Sequence, residues 1–444
     1  MMRTMTPKEE KALAILRRLR DNGFIALFNG GCVRDRILGL PVKDYDIATD
    51  ARPEVVQRLF DETVPVGAKF GVIMVILDGD PFELATFRAD APYVDGRRPS
   101  SVRFGTLEED AKRRDFTIGG MYYDPFADRL IDTVGGMRDL RAGIIRAIGN
   151  PYDRFAEDHL RVIRAARFAA RLNFVIEPET HRAMKLTAPM LPKISAERIG
   201  EEIVRMMTEG GAARGMDIMV ETGIMKEVLP EVLPMIGCQQ PANYHPEGDV
   251  YVHTKIAVAM LSPGCSETLA FGILFHDVAK PNTRAEQNGK VTYYGHTEIG
   301  AEMAAAILAR LRRSRAVQER VAYLVKNHLK LTMAPRMRAS TLRRMLAEDG
   351  FDELLEVSRM DALASSSFLG HYHFCRRAMK EITPARMRPP RFLNGRDLIG
   401  MGFTPGPAFK NILKEVEDLQ LDGEIADRDA ALAYVREHYS AAGN

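Results

Sequence analysis

At 444 residues, with 46% hydrophobic and 27% charged side chains, the chain has the composition of an ordinary soluble protein of roughly two to four domains. Its formal net charge of only +2 does not announce a nucleic-acid partner, so any basic surface has to be local, as at Arg97-Arg98, Lys112-Arg113-Arg114 and the series Arg161, Arg164, Arg167, Arg171. Cysteines at 32, 238, 265 and 375 show no paired spacing, which argues against a disulfide framework or a Cys-rich zinc site; with no leader-like N-terminus and no apolar run near ~18 residues, the reading is cytoplasmic, with no membrane partner.

In chain order, residues 7–22 read as an amphipathic helix with Ala12, Ile15, Leu16 and Leu19 on one side. Strands are predicted at 24–28, 44–48, 71–77 and 82–88, the last two joined through Asp78-Gly79-Asp80-Pro81 as a hairpin. Segment 89–105, polar and rich in Pro and Gly, reads as a loop, and short strands follow at 129–133 and 144–147. From about 151 the pattern turns helical for the rest of the chain, with turn signals at 173–178, 190–195, 209–211 and 229–234. Three prolines in 381–394 suggest a linker before a small helical tail.

Chemistry enters with FNGGCVRDRILGLPVKDYDIATD, residues 28–50. Gly30 and Gly31 supply a turn where backbone can approach a phosphate chain, and a helix starting near Cys32 would present its N–H groups there. In an extended segment Asp44 and Asp46, two apart, project to the same side and can hold one or two divalent cations; an Asp-x-Asp by itself also arises on surface turns. Turn, helix, a loop with Pro41 and then Asp-Tyr-Asp together resemble the start of the class II tRNA nucleotidyltransferase and poly(A) polymerase family, which extends nucleic-acid 3′ ends without a template.

That resemblance implies an α+β protein. A polymerase-beta-type nucleotidyltransferase sheet with helices would occupy 1–150, an all-α neck and body 151–240, an all-α HD domain 241–380, and a linker and helical tail 381–444. Glu83, in the run FELATF, would be a third catalytic carboxylate beside Asp44 and Asp46 at a Mg²⁺ site; a bare carboxylate buried there would cost several kcal/mol, and the alternative is an edge-strand Glu facing water. Gly30, Gly31 and Arg34 of the first motif join the nucleotide-binding set. The stretch RRDFTIGGMYYDP (113–125) resembles the second motif, an Arg-Arg-Asp turn before an apolar helix: Arg114 would reach triphosphate oxygens, and Asp115 would orient that arginine or the ribose. Gly119-Gly120 departs from the family's usual Asn-Ala and removes one polar contact.

In RFAEDHLRVIRAARFAARLNF (154–174), read as one helix, the resemblance assigns Asp158 and Arg161 to the Watson–Crick edge of the incoming base, Glu157 to holding Arg161, and Arg164 and Arg167 to triphosphate or RNA backbone. One Asp and one Arg can satisfy cytosine or adenine but mismatch guanine and uracil. Ser195 is placed as an N-cap in ISAERIGEEIVRMM (194–207). Further on, His253, His276-Asp277 and Asp361 match the ligand order of HD-domain metallophosphohydrolases, with His296 and His328 where further ligands or phosphate contacts fall and Lys280 placed to meet an anion. Imidazole plus carboxylate suits Mn²⁺, Ni²⁺, Fe or Mg²⁺; the alternative is an HD scaffold kept for RNA binding.

The activity implied is addition of CMP, CMP and AMP from CTP and ATP to the tRNA 3′ end, with possible phosphohydrolase activity in the HD half. Poly(A) addition, A-only or CC-only addition, and an HD or RNA-binding protein with an inactive transferase half are the rivals. Oligomeric state is not legible.

Overall fold

The computed structural model describes residues 5–90, 101–243, 245–381 and 390–440. Arg97-Arg98 and most of the linker expected at 381–394 lie outside them. The chain divides into two compact units: residues up to Leu233 with Leu261–Gly264 and Arg310–Arg313, and the remainder.

The first unit opens with helix α1 (Pro7–Asp21), where the Thr6 hydroxyl accepts from Glu9 N–H and Pro7 stands in the first turn. Ala12, Ile15, Leu16 and Leu19 are fully buried against the sheet. Its strands are β1 (Ala26–Asn29), β2 (Ile47–Thr49), β3 (Thr63–Gly67), β4 (Val72–Leu77) and β5 (Asp80–Thr86), then β8 (Met121–Asp124) and β9 (Arg129–Asp132) after a separate antiparallel pair, β6 (Arg88–Asp90) and β7 (Val102–Phe104). The spatial order is β3-β4-β5-β2-β1-β8-β9, antiparallel throughout except for parallel β2–β5. Alternation sends Ile73 and Val75 of β4, and Phe82 and Leu84 of β5, into the core.

Five sequence expectations change here. β2 begins at Ile47, so Asp44 and Asp46 lie in the extended approach to a strand rather than inside one. β3 was not anticipated, and the ends of segment 89–105 pair as strands. The apolar helix expected after Arg113-Arg114-Asp115 is a single 3-10 turn, Thr117–Gly119, followed by β8: two glycines disfavour helix, and Met121-Tyr122-Tyr123 suits a strand whose Met121 and Tyr122 are fully buried. The helix expected over 154–174 is two, α6 (Pro151–Glu157) and α7 (Arg161–Leu172), because Asp158 adopts an extended conformation (φ −142°, ψ 104°) and its carboxylate accepts from Leu160 N–H. Helix α2 (Gly31–Ile37) starts one residue before Cys32. α3 (Pro53–Leu59), α4 (Leu107–Lys112) and α5 (Gly136–Ala142) fill out the sheet region, and α8 (Pro178–Thr187), α9 (Ala196–Thr208), α10 (Ala212–Thr222) and α11 (Ile224–Val228) complete the unit.

The second unit is helical apart from a hairpin at 285–292. Its helices are α12 (Val250–Val258), α13 (Glu267–Phe275), α14 (Lys280–Thr283), α15 (His296–Arg310), α16 (Arg315–Asn327), α17 (Ala339–Leu346), α18 (Phe351–Ala364) and α19 (Gly370–Glu381); His253, His296 and Asp361 lie on α12, α15 and α18, His276-Asp277 directly follows α13, and His328 directly follows α16. α13 and α16 cross closely at Gly272, where a Cβ would lie 2.9 Å from Leu324 Cδ1. Helices at Gly395–Gly400, Pro407–Asp422 and Arg428–His438 pack around Leu398, Ile412, Val416 and Val435.

Candidate functional site

In the first unit β1 runs into a turn at Gly30, whose φ of 67° and proximity (an added Cβ would lie 3.3 Å from Arg114 Nη1 and 3.7 Å from Asp46 Oδ2) require glycine. β2 pairs with β5 at Ile47 and Leu84, so Asp46 and Glu83, each one residue earlier, stand level on neighbouring segments. Glu83 is exposed on the face opposite buried Phe82 and Leu84, and β5 is flanked by β4 and β2, so the edge-strand alternative falls. Burial first, and then the Glu83 charge, pushes the Asp46 carboxyl up to about 6 against the pull of Arg114. Asp44 is 80% exposed and pairs with Lys8 at 2.7 Å. A cation among these carboxylates would relieve the repulsion that Glu83 and Asp44 exert on Asp46.

Every catalytic and nucleotide-binding residue assigned above, from Gly30 to Arg167, lines one cleft of ≈ 1810 Å³, and Glu157 is not among its lining residues. The pairings inside it differ from expectation. Asp115 does not orient Arg114: its oxygens accept from Arg161 Nε at 2.7 Å and Arg164 Nε at 2.6 Å, and against the opposing effect of burial these two cations hold its carboxyl well below the ordinary range. Arg114 instead donates to Asp110 at 3.1 Å and to the Tyr122 hydroxyl at 3.3 Å, while that hydroxyl donates to Asp110 at 2.5 Å. Arg161 also donates to Glu157 at 2.7 Å, so that contact is present. Asp158 accepts from both terminal nitrogens of Arg198 at 2.7 and 3.3 Å. Arg167 is buried between Glu202 at 2.7 Å and Glu209 at 2.8 Å. Arg34, equally buried, donates to Asp35 and lies 5.2 Å from the centre of the Phe168 ring. Ser195 occupies the N-cap position of α9 without a capping hydrogen bond.

The second unit brings His253, His276, Asp277 and Asp361 together. His253 Nε2 lies 3.1 Å from both His276 Nε2 and Asp361 Oδ1, and His276 Nε2 lies 3.2 Å from Asp277 Oδ2. His296 and His328 approach the other oxygen of Asp277 at 3.6 and 3.8 Å. His276, His296 and His328 each donate Nδ1–H at 2.7 Å to a carbonyl three residues earlier, of Ile273, Tyr293 and Val325, so each points its Nε2 inward. Burial pushes His328 down to about 4, which keeps it neutral. Asp277 Oδ2 is paired with Lys280 Nζ at 2.6 Å, whereas Asp277 Oδ1 and Nε2 of His296 have no hydrogen-bond partner among the described residues. Buried acceptors left in this way cost free energy that a cation would recover, and the two sets His253-His276-Asp277 and Asp277-His296-His328 each have the spacing to hold one.

Sequence reasoning missed Lys8, Asp110, Tyr122, Glu202 and Glu247. Only Asp110 left a local signal, standing three and four residues before Arg113 and Arg114 on one helix.

Comparison with known proteins agrees with this division. Residues 26–146 match the poly A polymerase head domain, 173–236 a probable RNA and SrmB-binding site of polymerase A, and 245–365 the HD domain. The head and the segment after it are thus similar to those of the poly A polymerase family. Curated relatives called CCA-adding enzymes are 44% identical over 218 residues in Ligilactobacillus salivarius and 45% identical over 219 residues in Bacillus licheniformis, in each case 49% of this chain. The match spans 54% and 55% of those relatives, so this chain covers about half their length. In structure, the Bacillus stearothermophilus CCA-adding enzyme in complex with CTP is 28% identical with a TM-score of 0.73 over 98% of both chains. The Thermotoga maritima CCA-adding enzyme complexed with tRNA, 20% identical at a TM-score of 0.56 over 98% of this chain and 96% of that one, shares the fold. A nucleotidyltransferase head and an HD domain both imply divalent metals. Among the described residues no helix is long and apolar enough to cross a membrane.

Proposed function

We propose that the first unit adds CMP, CMP and AMP, from CTP and ATP, to the 3′ end of tRNA, which places the protein in the cytoplasm where these substrates meet. The observation that carries this reading is the convergence of Asp44, Asp46 and Glu83 in one cleft with Arg114, Asp158 and Arg161. The tRNA hydroxyl attacks the α-phosphate in line and pyrophosphate leaves, so no side chain need act as a nucleophile. Mg²⁺ held by Asp44 and Asp46, with Glu83, would supply activation of the hydroxyl and neutralisation of the leaving charge. Arg114, fixed by Asp110 and Tyr122, binds phosphate oxygens. Arg198 orients the Asp158 carboxylate but leaves lone pairs for a donor amino group on cytosine or adenine, and Arg161 borders the same pocket. Relatives whose names state CCA addition, and a solved relative holding CTP, support this choice.

For the second unit, the unpartnered Asp277 Oδ1 among inward-facing imidazoles favours a Mn²⁺, Ni²⁺ or Mg²⁺ centre that hydrolyses phosphoesters. The transferase reading is tested by giving the full chain tRNA ending in the discriminator base, in C or in CC, with each nucleoside triphosphate separately. CMP addition to the first two and AMP addition only to the third is the expected result, lost in Asp44→Ala and Asp46→Ala while tRNA binding persists. AMP-only, CMP-only or repeated AMP addition would assign the rival family activities. No addition at all would mean an inactive transferase half.

A further inference from the structure

His253 differs from the other three histidines around Asp277 in how its outer nitrogen is satisfied. His276 and His328 end helices α13 and α16, and His296 begins α15, where a carbonyl three residues back can accept from the ring. His253 stands inside α12, and its Nδ1 is met by a side chain instead of a backbone carbonyl. That side chain is Glu247, from the turn ahead of the helix, whose Oε1 lies 2.6 Å from His253 Nδ1 and 2.8 Å from His245 Nδ1. The Glu247 side chain is only 6% exposed and its Oε2 has no partner among the described residues. A carboxylate buried with one oxygen unpaired is an expensive way to tie down a loop, since an amide or a backbone carbonyl would do so at lower desolvation cost.

We propose that Glu247 is a positioning residue of the metal centre, fixing His253 with its proton on Nδ1 and its Nε2 lone pair turned to the cation. A full negative charge on the outer side raises the electron density that Nε2 can offer, beyond what the neutral carbonyls give the other three rings. His253 Nε2 is also the atom equidistant, at 3.1 Å, from His276 Nε2 and Asp361 Oδ1, so its aim governs the ligand set on that side of Asp277. The inference rests on the reading of this cluster as a metal centre.

The test is Mn²⁺ binding to the chelator-stripped full-length chain by calorimetry, with Co²⁺ absorption as a spectroscopic readout. Glu247→Gln keeps the size of the side chain and removes the charge. It is expected to bind Mn²⁺ about 10- to 100-fold more weakly, with a shifted Co²⁺ band, while its metal-free thermal midpoint and its transferase activity match wild type. Glu247→Asp is expected to recover part of the affinity. His245→Ala, which removes the other hydrogen bond to the same oxygen, is expected to leave Mn²⁺ affinity unchanged; an equal loss there would assign the effect to loop packing and overturn the proposal even if Glu247→Gln fails to fold. A Gln variant with wild-type affinity and spectrum overturns it while leaving the metal centre standing. A wild-type chain that binds none of Mn²⁺, Ni²⁺ or Co²⁺ overturns both.

Discussion

Asp115 stands at the junction of the transferase cleft's charges, with two arginines on its two oxygens and a side chain 22% exposed. Replacing it with Asn leaves Arg161 and Arg164 short of a counter-charge in a largely desolvated place, and the expected loss is about 3 kcal/mol of unfolding free energy at pH 7. Because the folded carboxyl is held below its ordinary 3.8, it contributes stability above that value and loses it as the pH falls toward the folded pKa. Urea unfolding of wild type and Asp115→Asn should therefore show a constant gap from pH 5 to 8 that narrows by pH 3; a gap that stays fixed at pH 3 would remove the charge argument. This network was half legible in the sequence. The residue types and their membership of one site could be read from the Arg-Arg-Asp turn and the arginine series, but their partners lie 46 and 49 positions apart, and no periodicity carries information over that distance.

The Gly119-Gly120 turn is where a short element decides both fold and site. A Cβ at Gly119, which lines the cleft, would meet nothing within 4 Å, whereas one at Gly120 would lie 2.7 Å from Val134 Cγ2 and 3.2 Å from Ile148 Cδ1. Gly119→Asn, which restores the family's usual residue, should fold like wild type and change only nucleotide affinity, and Gly120→Ala should cost about 1–3 kcal/mol through overpacking. Thermal melts of both variants check the difference, and equal midpoints would refute it. Elements with strong periodicity, α1 and the β4–β5 hairpin, were readable because one face of each meets a single core. The division of α6 from α7 was hidden by a continuous helical pattern: what breaks it is one carboxylate bonding its own downstream N–H, at an aspartate that the same pattern also accommodates on a helix. β3 escaped because its alternate valines, Val64 and Val66, are exposed and give no core-facing signal beyond their β-branching.

At the scale of the whole chain, the carboxylates of the transferase cleft and the histidines of the metal cluster fall in different compact units. The sequence showed this separation through the order of its motifs, while the net charge of +2 said nothing of an arginine-lined cleft. Separate units make separate losses. Asp277 offers one oxygen toward His253 and His276 and the other toward His296 and His328, so Asp277→Ala removes the side chain that joins these two candidate ligand sets. It also leaves Lys280, held otherwise by Gln240 at 2.6 Å, without its carboxylate, so the variant is expected to be less stable in the second unit than His276→Ala. Both substitutions should abolish any divalent-metal-dependent hydrolysis of 2′,3′-cyclic or terminal phosphates and lower the metal content of the purified protein. CMP and AMP incorporation, measured on the same preparations, should continue at the wild-type rate. Loss of incorporation in a folded His276→Ala chain would show that the two chemistries are coupled, and metal content and hydrolysis unchanged in both variants would show that the cation is held elsewhere.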